Sequence, residues 1–304
     1  MERGAIEVGD LHGGMDLQST LESGQTYHWQ RADGRTYETT GAYGGSAWYE
    51  TVVDGEVLRV RQRNGQLAWE STTDAVPMLT DLLRLDDDLA AIVDATPADS
   101  LVEEAYSTYR GMRITGDPFF HTLIAFIYSA QMRAERIFAM QQALSESYGT
   151  VHEAGGRRYH AFPTPDQLAG ASEADLRGLK LGYRAPYVAE TARMVASGEL
   201  VREDLPDGYE AVREALTGYP GVGPKVADCV CLFSLGHLEA VPLDTWIRKA
   251  IAEHYPDCDR GSYVETSRAI RDRFGPYAGY AQTYVFHHLR HGRAAPAAMS
   301  EEAV

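Results

Sequence analysis

The stretch Leu216-Thr217-Gly218-Tyr219-Pro220-Gly221-Val222-Gly223-Pro224-Lys225-Val226-Ala227-Asp228-Cys229, followed by Val241-Pro242-Leu243-Asp244, decides the reading of this chain. It reads as the end of one helix, a Pro-Gly-x-Gly turn and the start of a second helix. Gly221 and Gly223 allow positive φ, so successive backbone N–H groups can point the same way. Such a nest at a helix start binds phosphate without a charged side chain. Pro224 suits the first helical position, where no N–H partner is needed. Lys225 then falls in the first turn, beside that phosphate site. Asp244 stands just before Thr245-Trp246-Ile247-Arg248. There it can cap a helix, act as a carboxylate facing the amine, or do both.

Working outward, residues from Gly24 to Leu67 alternate apolar and polar and are rich in aromatic and β-branched types. Asp33-Gly34, Gly44-Gly45, Asp54-Gly55 and Asn64-Gly65 are each a two-residue hairpin signal. The pattern predicts an antiparallel meander of about five strands. From Asp74 the period becomes helical. Predicted helices are Asp117–Ser129, Arg133–Tyr148, Leu176–Leu179 behind a Ser172 capping box, Arg184–Ala196, Gly208–Leu216, Pro224–Leu235, Thr245–His254, Ser262–Phe274 and Pro276–His291. The fold class is therefore α+β. An N-terminal sheet domain with flanking helices spans residues 1–110, and a mostly helical body spans 111–293. The small, acidic tail 294–304 is expected to be disordered.

Composition narrows the field. Of the 304 residues, 44% are hydrophobic and 24% charged, as in a globular protein with a proper core. No apolar stretch approaches the ~20 residues of a membrane span. Met1-Glu2-Arg3-Gly4 opens no signal-peptide core, so a cytoplasmic, nucleoid-associated protein is expected. The net charge of −16 sits awkwardly with a nucleic-acid partner. Only Lys180, Lys225 and Lys249 are lysines, the other basic residues being arginines. An acidic, lysine-poor surface fits a halophilic, archaeal source, and it makes a lysine directly after the hairpin unlikely to be incidental. The ten histidines show no spacing of metal-ligand type, so no catalytic metal is expected.

The hairpin and its downstream Asp resemble the helix–hairpin–helix and Gly/Pro-Asp signature of the base-excision DNA glycosylases (HhH-GPD superfamily). The run from Lys225 to Cys229 is most similar to the 8-oxoguanine DNA glycosylase branch. The resemblance also covers Gly24-Gln25-Thr26-Tyr27-His28-Trp29, Leu181-Gly182-Tyr183-Arg184-Ala185 and Phe274-Gly275-Pro276-Tyr277-Ala278-Gly279-Tyr280-Ala281-Gln282. It implies a sheet domain followed by a helical glycosylase body, and a monomer acting on double-stranded DNA that contains damaged bases. It implies glycosylase and β-lyase activity, with Lys225 as Schiff-base nucleophile and Asp244 as catalytic aspartate. An amine attacks only in its neutral form, which desolvation and a helix N-terminus both favour.

The same resemblance places Gly24, Cys229, Gln282 and Phe286 at the base pocket. The Gly24 carbonyl would accept N7–H of oxidised guanine, which normal guanine lacks. Gln282 would read the Watson–Crick edge and Phe286 would stack on the base. Cys229 and Phe286 could also be plain core residues. The resemblance assigns Gln131, Arg136, Tyr183 and Arg184 to the gap left by the flipped base and to the opposite cytosine, and Gly221 and Gly223 to phosphate. It also implies a monovalent cation at the hairpin, held by the carbonyls of Thr217, Tyr219 and Val222. Three cysteines (Cys229, Cys231, Cys258) cannot supply the four thiolates of the iron–sulfur relatives, so no cluster and no cofactor are expected.

The chain departs from the family pattern in three places. Gln131 stands where an Asn is usual. Thr245-Trp246 replaces a His after the catalytic Asp. His287-His288-Leu289 lacks an expected Asp. An alkylated-purine glycosylase would normally lack Lys225, and a non-catalytic helix–hairpin–helix module would need neither Lys225 nor Asp244.

Overall fold

A computed structural model describes residues 1–36, 43–130, 132–199 and 201–292, without the side chains of residues 291 and 292. Strands β1 (Glu2–Glu7), β2 (Gln30–Arg31), β3 (Tyr49–Val53), β4 (Glu56–Arg63) and β5 (Gln66–Ser71) form one antiparallel sheet in the order β1-β5-β4-β3-β2. A separate hairpin pairs β6 (Val151–Ala154) with β7 (Arg157–His160). The helices are α1 (Leu17–Glu22), α2 (Val76–Leu83), α3 (Leu89–Ala95), α4 (Ser100–Thr108), α5 (Phe119–Ser129), α6 (Ala134–Tyr148), α7 (Pro165–Ala169) and α8 (Glu173–Gly178). They continue with α9 (Ala185–Ser197), α10 (Tyr209–Leu216), α11 (Pro224–Phe233), α12 (Thr245–His254), α13 (Tyr263–Phe274) and α14 (Ala278–Gly292). Among the described residues no helix is long and apolar enough to cross a membrane.

Two of the expected hairpins form where their signals stand. Asp54-Gly55 joins β3 to β4 and Asn64-Gly65 joins β4 to β5, and all four residues have positive φ. Elsewhere the sheet departs from expectation. Its edge strand β1 comes from the chain start, and Gly24–Trp29 is an irregular segment rather than a strand. Gly44-Gly45 turns no hairpin among the described residues; a Cβ on Gly44 would lie 2.2 Å from Cδ of Gln62. The bare glycine lets that amide accept from Leu17 N–H (2.8 Å) and donate to Met15 O (2.7 Å), docking α1 on the sheet. The hairpin at Gly155-Gly156 was not foreseen, although its two glycines carry the positive φ that such a turn needs.

Leu58, Val60, Leu67 and Trp69 pack the sheet against α1 and α2, forming one core. A larger core runs through α5, α9, α11 and α14. Arg113 ties the layers together. It is fully buried, and its guanidinium donates to the carbonyls of Gly14 (3.0 Å), Arg84 (2.7 Å), Asp87 (3.0 Å) and His12 (2.9 Å). Such a charge is tolerable only because all these acceptors converge on it.

Candidate active site and DNA-facing cleft

The hairpin begins where α10 ends in tight turns, with Tyr219 N–H on Leu216 O (3.2 Å) and Val222 N–H on Tyr219 O (3.1 Å). Gly221 adopts φ +79°, and a Cβ there would lie 2.8 Å from the Tyr187 ring of α9. Gly223 differs from expectation. It is the extended N-cap of α11 at φ −94° and ψ 178°, so only Gly221 supplies positive φ. With no side chain on the N-cap, the first N–H groups of α11 remain available to an anion. The Tyr219 carbonyl, one of three expected to face a cation, is engaged by Val222 but keeps a second lone pair.

Pro224 opens α11 and places Lys225 in its first turn, half-buried, with Nζ 5.1 Å from the Phe126 ring centroid. Cys229 lies one turn on, buried beside the ammonium. Burial pushes its thiol up to about 11, with Lys225 pulling the other way. Asp244 is the N-cap of α12, its Oδ1 accepting Ile247 N–H at 2.8 Å. Burial raises its pKa, against the Ile247 N–H and the nearby charges of Lys225 and Arg290. The carboxyl thus serves as a cap while facing the amine.

Lys225 and Asp244 line a cleft of about 600 Å³ together with Gly24 and Phe286. Gly24 has φ +91°, and a Cβ there would sit 3.0 Å from Arg290 Nη1 and 3.6 Å from Phe286 Cε1. Its neighbour Gln25 is buried and fully used. Nε2 donates to Thr20 O and Arg113 O (both 2.8 Å), and Oε1 accepts Thr115 N–H (2.9 Å). These bonds hold the Gly24 peptide against the helical body.

The remaining expected residues fall differently. Gln282 lines a small apolar cavity with Val241 and Ile247, and its buried Oε1 has no partner among the described residues. Arg184 is buried; it donates to Ala130 O, and its Cζ lies 4.2 Å from the Tyr183 ring centroid. Tyr183 itself is 58% exposed. Arg136 is exposed on the first turns of α6, whose start borders the cleft. Gln131 lies outside the described residues.

Arg290, Arg248, Arg133 and Phe126 are among the cleft residues that were not anticipated. Arg290 was findable, because it stands one turn after Phe286 on the same face of α14. With Lys225, these arginines give the cleft a basic lining on a chain of net charge −16. Several arginines elsewhere are neutralised in place, as with Arg31–Glu22, Arg59–Glu70 and Arg268–Glu210.

Comparison with known proteins agrees with this geometry. Residues 124–276 match the model of the HhH-GPD superfamily base excision DNA repair proteins. Residues 11–123 match that of the 8-oxoguanine DNA glycosylase N-terminal domain. The chain belongs to the HhH-GPD superfamily of base excision DNA repair proteins, in the branch that carries this N-terminal domain. It is 30% identical to a probable N-glycosylase/DNA lyase of Methanothermobacter thermautotrophicus, over 94% of this chain and 95% of that protein. It is also 30% identical to the N-glycosylase/DNA lyase of Saccharomyces cerevisiae, over 89% and 82% respectively. The Clostridium acetobutylicum 8-oxoguanine glycosylase/lyase, solved with duplex DNA containing cytosine opposite 8-oxoguanine, superimposes with a TM-score of 0.81 at 28% identity. That match covers 91% of this chain and 92% of the other.

Proposed function

We propose that this N-glycosylase and DNA lyase of base excision repair removes 8-oxoguanine opposite cytosine, through a Schiff base on Lys225. The observation that carries the reading is the convergence of Lys225, Asp244, Gly24 and Phe286 on one cleft. The duplex backbone docks on the open N-terminus of α11 and on Gly221. The flipped nucleotide enters the cleft, its base stacks on Phe286, and N7–H donates to the Gly24 carbonyl. Stacking of this kind contributes about 1–3 kcal/mol. The unpaired Gln282 amide, one turn before Phe286, can turn to the Watson–Crick edge. Arg184 and Arg136 serve the estranged cytosine, and Gln131 the gap.

The neutral Lys225 amine then attacks C1′ as the C1′–N9 bond breaks and the base leaves. Asp244 stabilises the positive charge developing on the sugar and accepts a proton from the amine. Return of that proton to the ring oxygen breaks its bond to C1′ and gives the iminium, and removal of a C2′ proton expels the 3′-phosphate.

A panel of duplexes tests the substrate assignment. 8-Oxoguanine should be excised at least about tenfold faster than 3-methyladenine or 7-methylguanine, since a missing hydrogen-bond partner at a buried acceptor costs about 1–3 kcal/mol. It should also be excised faster opposite cytosine than opposite adenine. Equal rates across damaged bases would remove Gly24 as reader, and equal rates opposite adenine would remove Arg136 and Arg184.

A further inference from the structure

We propose that Tyr263 is a positioning residue for the glycosylase reaction, fixing with Asp228 the backbone that carries Asp244 relative to the helix that carries Lys225. The inference rests on Lys225 and Asp244 being the catalytic pair. Asp228 stands three residues after Lys225 on α11 and is fully buried. Its carboxylate accepts two phenols, Tyr209 from α10 (2.6 Å) and Tyr263 from α13 (2.7 Å). Arg213 supports the first of these, donating to the Tyr209 oxygen at 3.2 Å.

The second phenol does more. While donating to Asp228, Tyr263 Oη accepts the backbone N–H of Leu243 at 3.0 Å. Leu243 immediately precedes Asp244, in a stretch outside regular secondary structure whose place no helical ladder sets. Asp244 N–H bonds only locally among the described residues, to Pro242 O at 3.1 Å. The Tyr263 ring also lies 5.5 Å from Cζ of Arg248, which lines the cleft. One phenol therefore links α11, the Asp244 segment and a cleft arginine.

Packing alone asks only for a Phe at position 263, and a buried carboxylate asks only for enough donors. Neither explains why one donor is shared with the peptide preceding Asp244. A tether between the supports of nucleophile and carboxylate does. Small misplacements of reacting groups cost rates of up to about a hundredfold.

The test compares two tyrosine variants. Tyr263→Phe should lower the single-turnover excision rate about tenfold per binding-competent molecule, the relaxed tether being short of a full misplacement. Affinity for a duplex carrying an uncleavable abasic-site analogue should stay within about twofold. Tyr209→Phe strips the same carboxylate of a phenol but leaves Leu243 tethered, so its rate should stay within about twofold. Asp228→Asn should slow excision like Tyr263→Phe and combine with it less than additively; it carries the test if Tyr263→Phe does not fold. Equal slowing by the two tyrosine variants would overturn the proposal, as would a Tyr263→Phe or Asp228→Asn rate within twofold of the parent. Borohydride trapping keeps the two readings apart, because covalent adduct surviving Lys225→Gln condemns the catalytic assignment whatever Tyr263 does.

Discussion

The wall of the cleft that carries Lys225 and Asp244 is built largely from consecutive elements, α10 to α12, whereas the wall that carries Gly24 is held through Gln25 by residues 88 and 90 positions from it. On the first wall a turn, an N-cap and two helix starts place the groups, and the Asp228–Tyr263 bond brings in only α13. On the second wall Gln25 reaches across to Arg113 and Thr115, and Arg113 itself stitches the sheet layer to the helices. The groups proposed for lysine chemistry are thus placed by local structure, and the glycine proposed for base recognition by the docking of two layers. The two should fail separately.

Gln25→Leu gives the largest expected separation. It removes one donor from Thr20 O, which keeps Ser23 Oγ, and one from Arg113 O, takes the side-chain acceptor from Thr115 N–H, and releases Gly24. Excision of 8-oxoguanine should fall roughly 30-fold or more, matching about 2 kcal/mol for a lost buried network. Strand scission at a preformed abasic site needs only the other wall and should fall no more than about threefold. Equal losses in both assays would show that the walls are one unit.

A pH effect sharpens the contrast next. Burial lifts Asp117, beside Thr26 on the Gly24 wall, to about 7 from an unfolded value of 3.8. Between these values the folded state holds a proton that the unfolded chain has lost. The stabilisation is therefore complete below about 3.8 and is lost as pH rises through 7. Burial raises Asp228 to about 6 on the other wall, with the same sign. Buried His28 and His121 are held neutral and carry the opposite sign below their unfolded value of 6.5. Melting temperature should therefore fall from pH 6.5 to pH 8, and Asp117→Asn should flatten that fall. A rise over this range would contradict the assignment.

The smallest effect concerns salt. With a net charge of −16 and basic residues gathered at the cleft, the contact should rest on a handful of phosphates. The slope of log affinity against log salt should be roughly −2 to −4, and Arg184→Ala should change it by at most about one. A slope near −8 would reveal a basic face elsewhere and remove the charge argument for salt adaptation.

The same contrast explains what could be read from the chain. The hairpin, the Pro224 start, the Asp244 cap and the helix Thr245–His254 were legible because each is set within a few residues. So were the Asp54-Gly55 and Asn64-Gly65 turns, whose positive φ only such residues adopt readily. Gly24–Trp29 misled, because its alternation is that of a strand while Gln25 spends its bonds on distant backbone. The sharing of Tyr263 between Asp228 and Leu243 leaves no sequence signal, since nothing in a helix pattern says which phenol meets which carboxylate. Gln282 stands on the helix predicted for it, and its lining of a small apolar cavity there follows from packing against Val241 and Ile247, which no helix pattern announces.

Covalent chemistry at Lys225 is the central claim, and borohydride trapping tests it most directly. Incubated with a duplex holding 8-oxoguanine opposite cytosine and sodium borohydride, the protein should form a stable adduct whose modified peptide contains Lys225. Lys225→Gln should abolish the adduct while duplex affinity stays within about threefold, since the N–H groups of α11 proposed to hold the phosphate are left in place. An adduct of undiminished yield in Lys225→Gln, or one mapped to Lys180 or Lys249, would contradict the account.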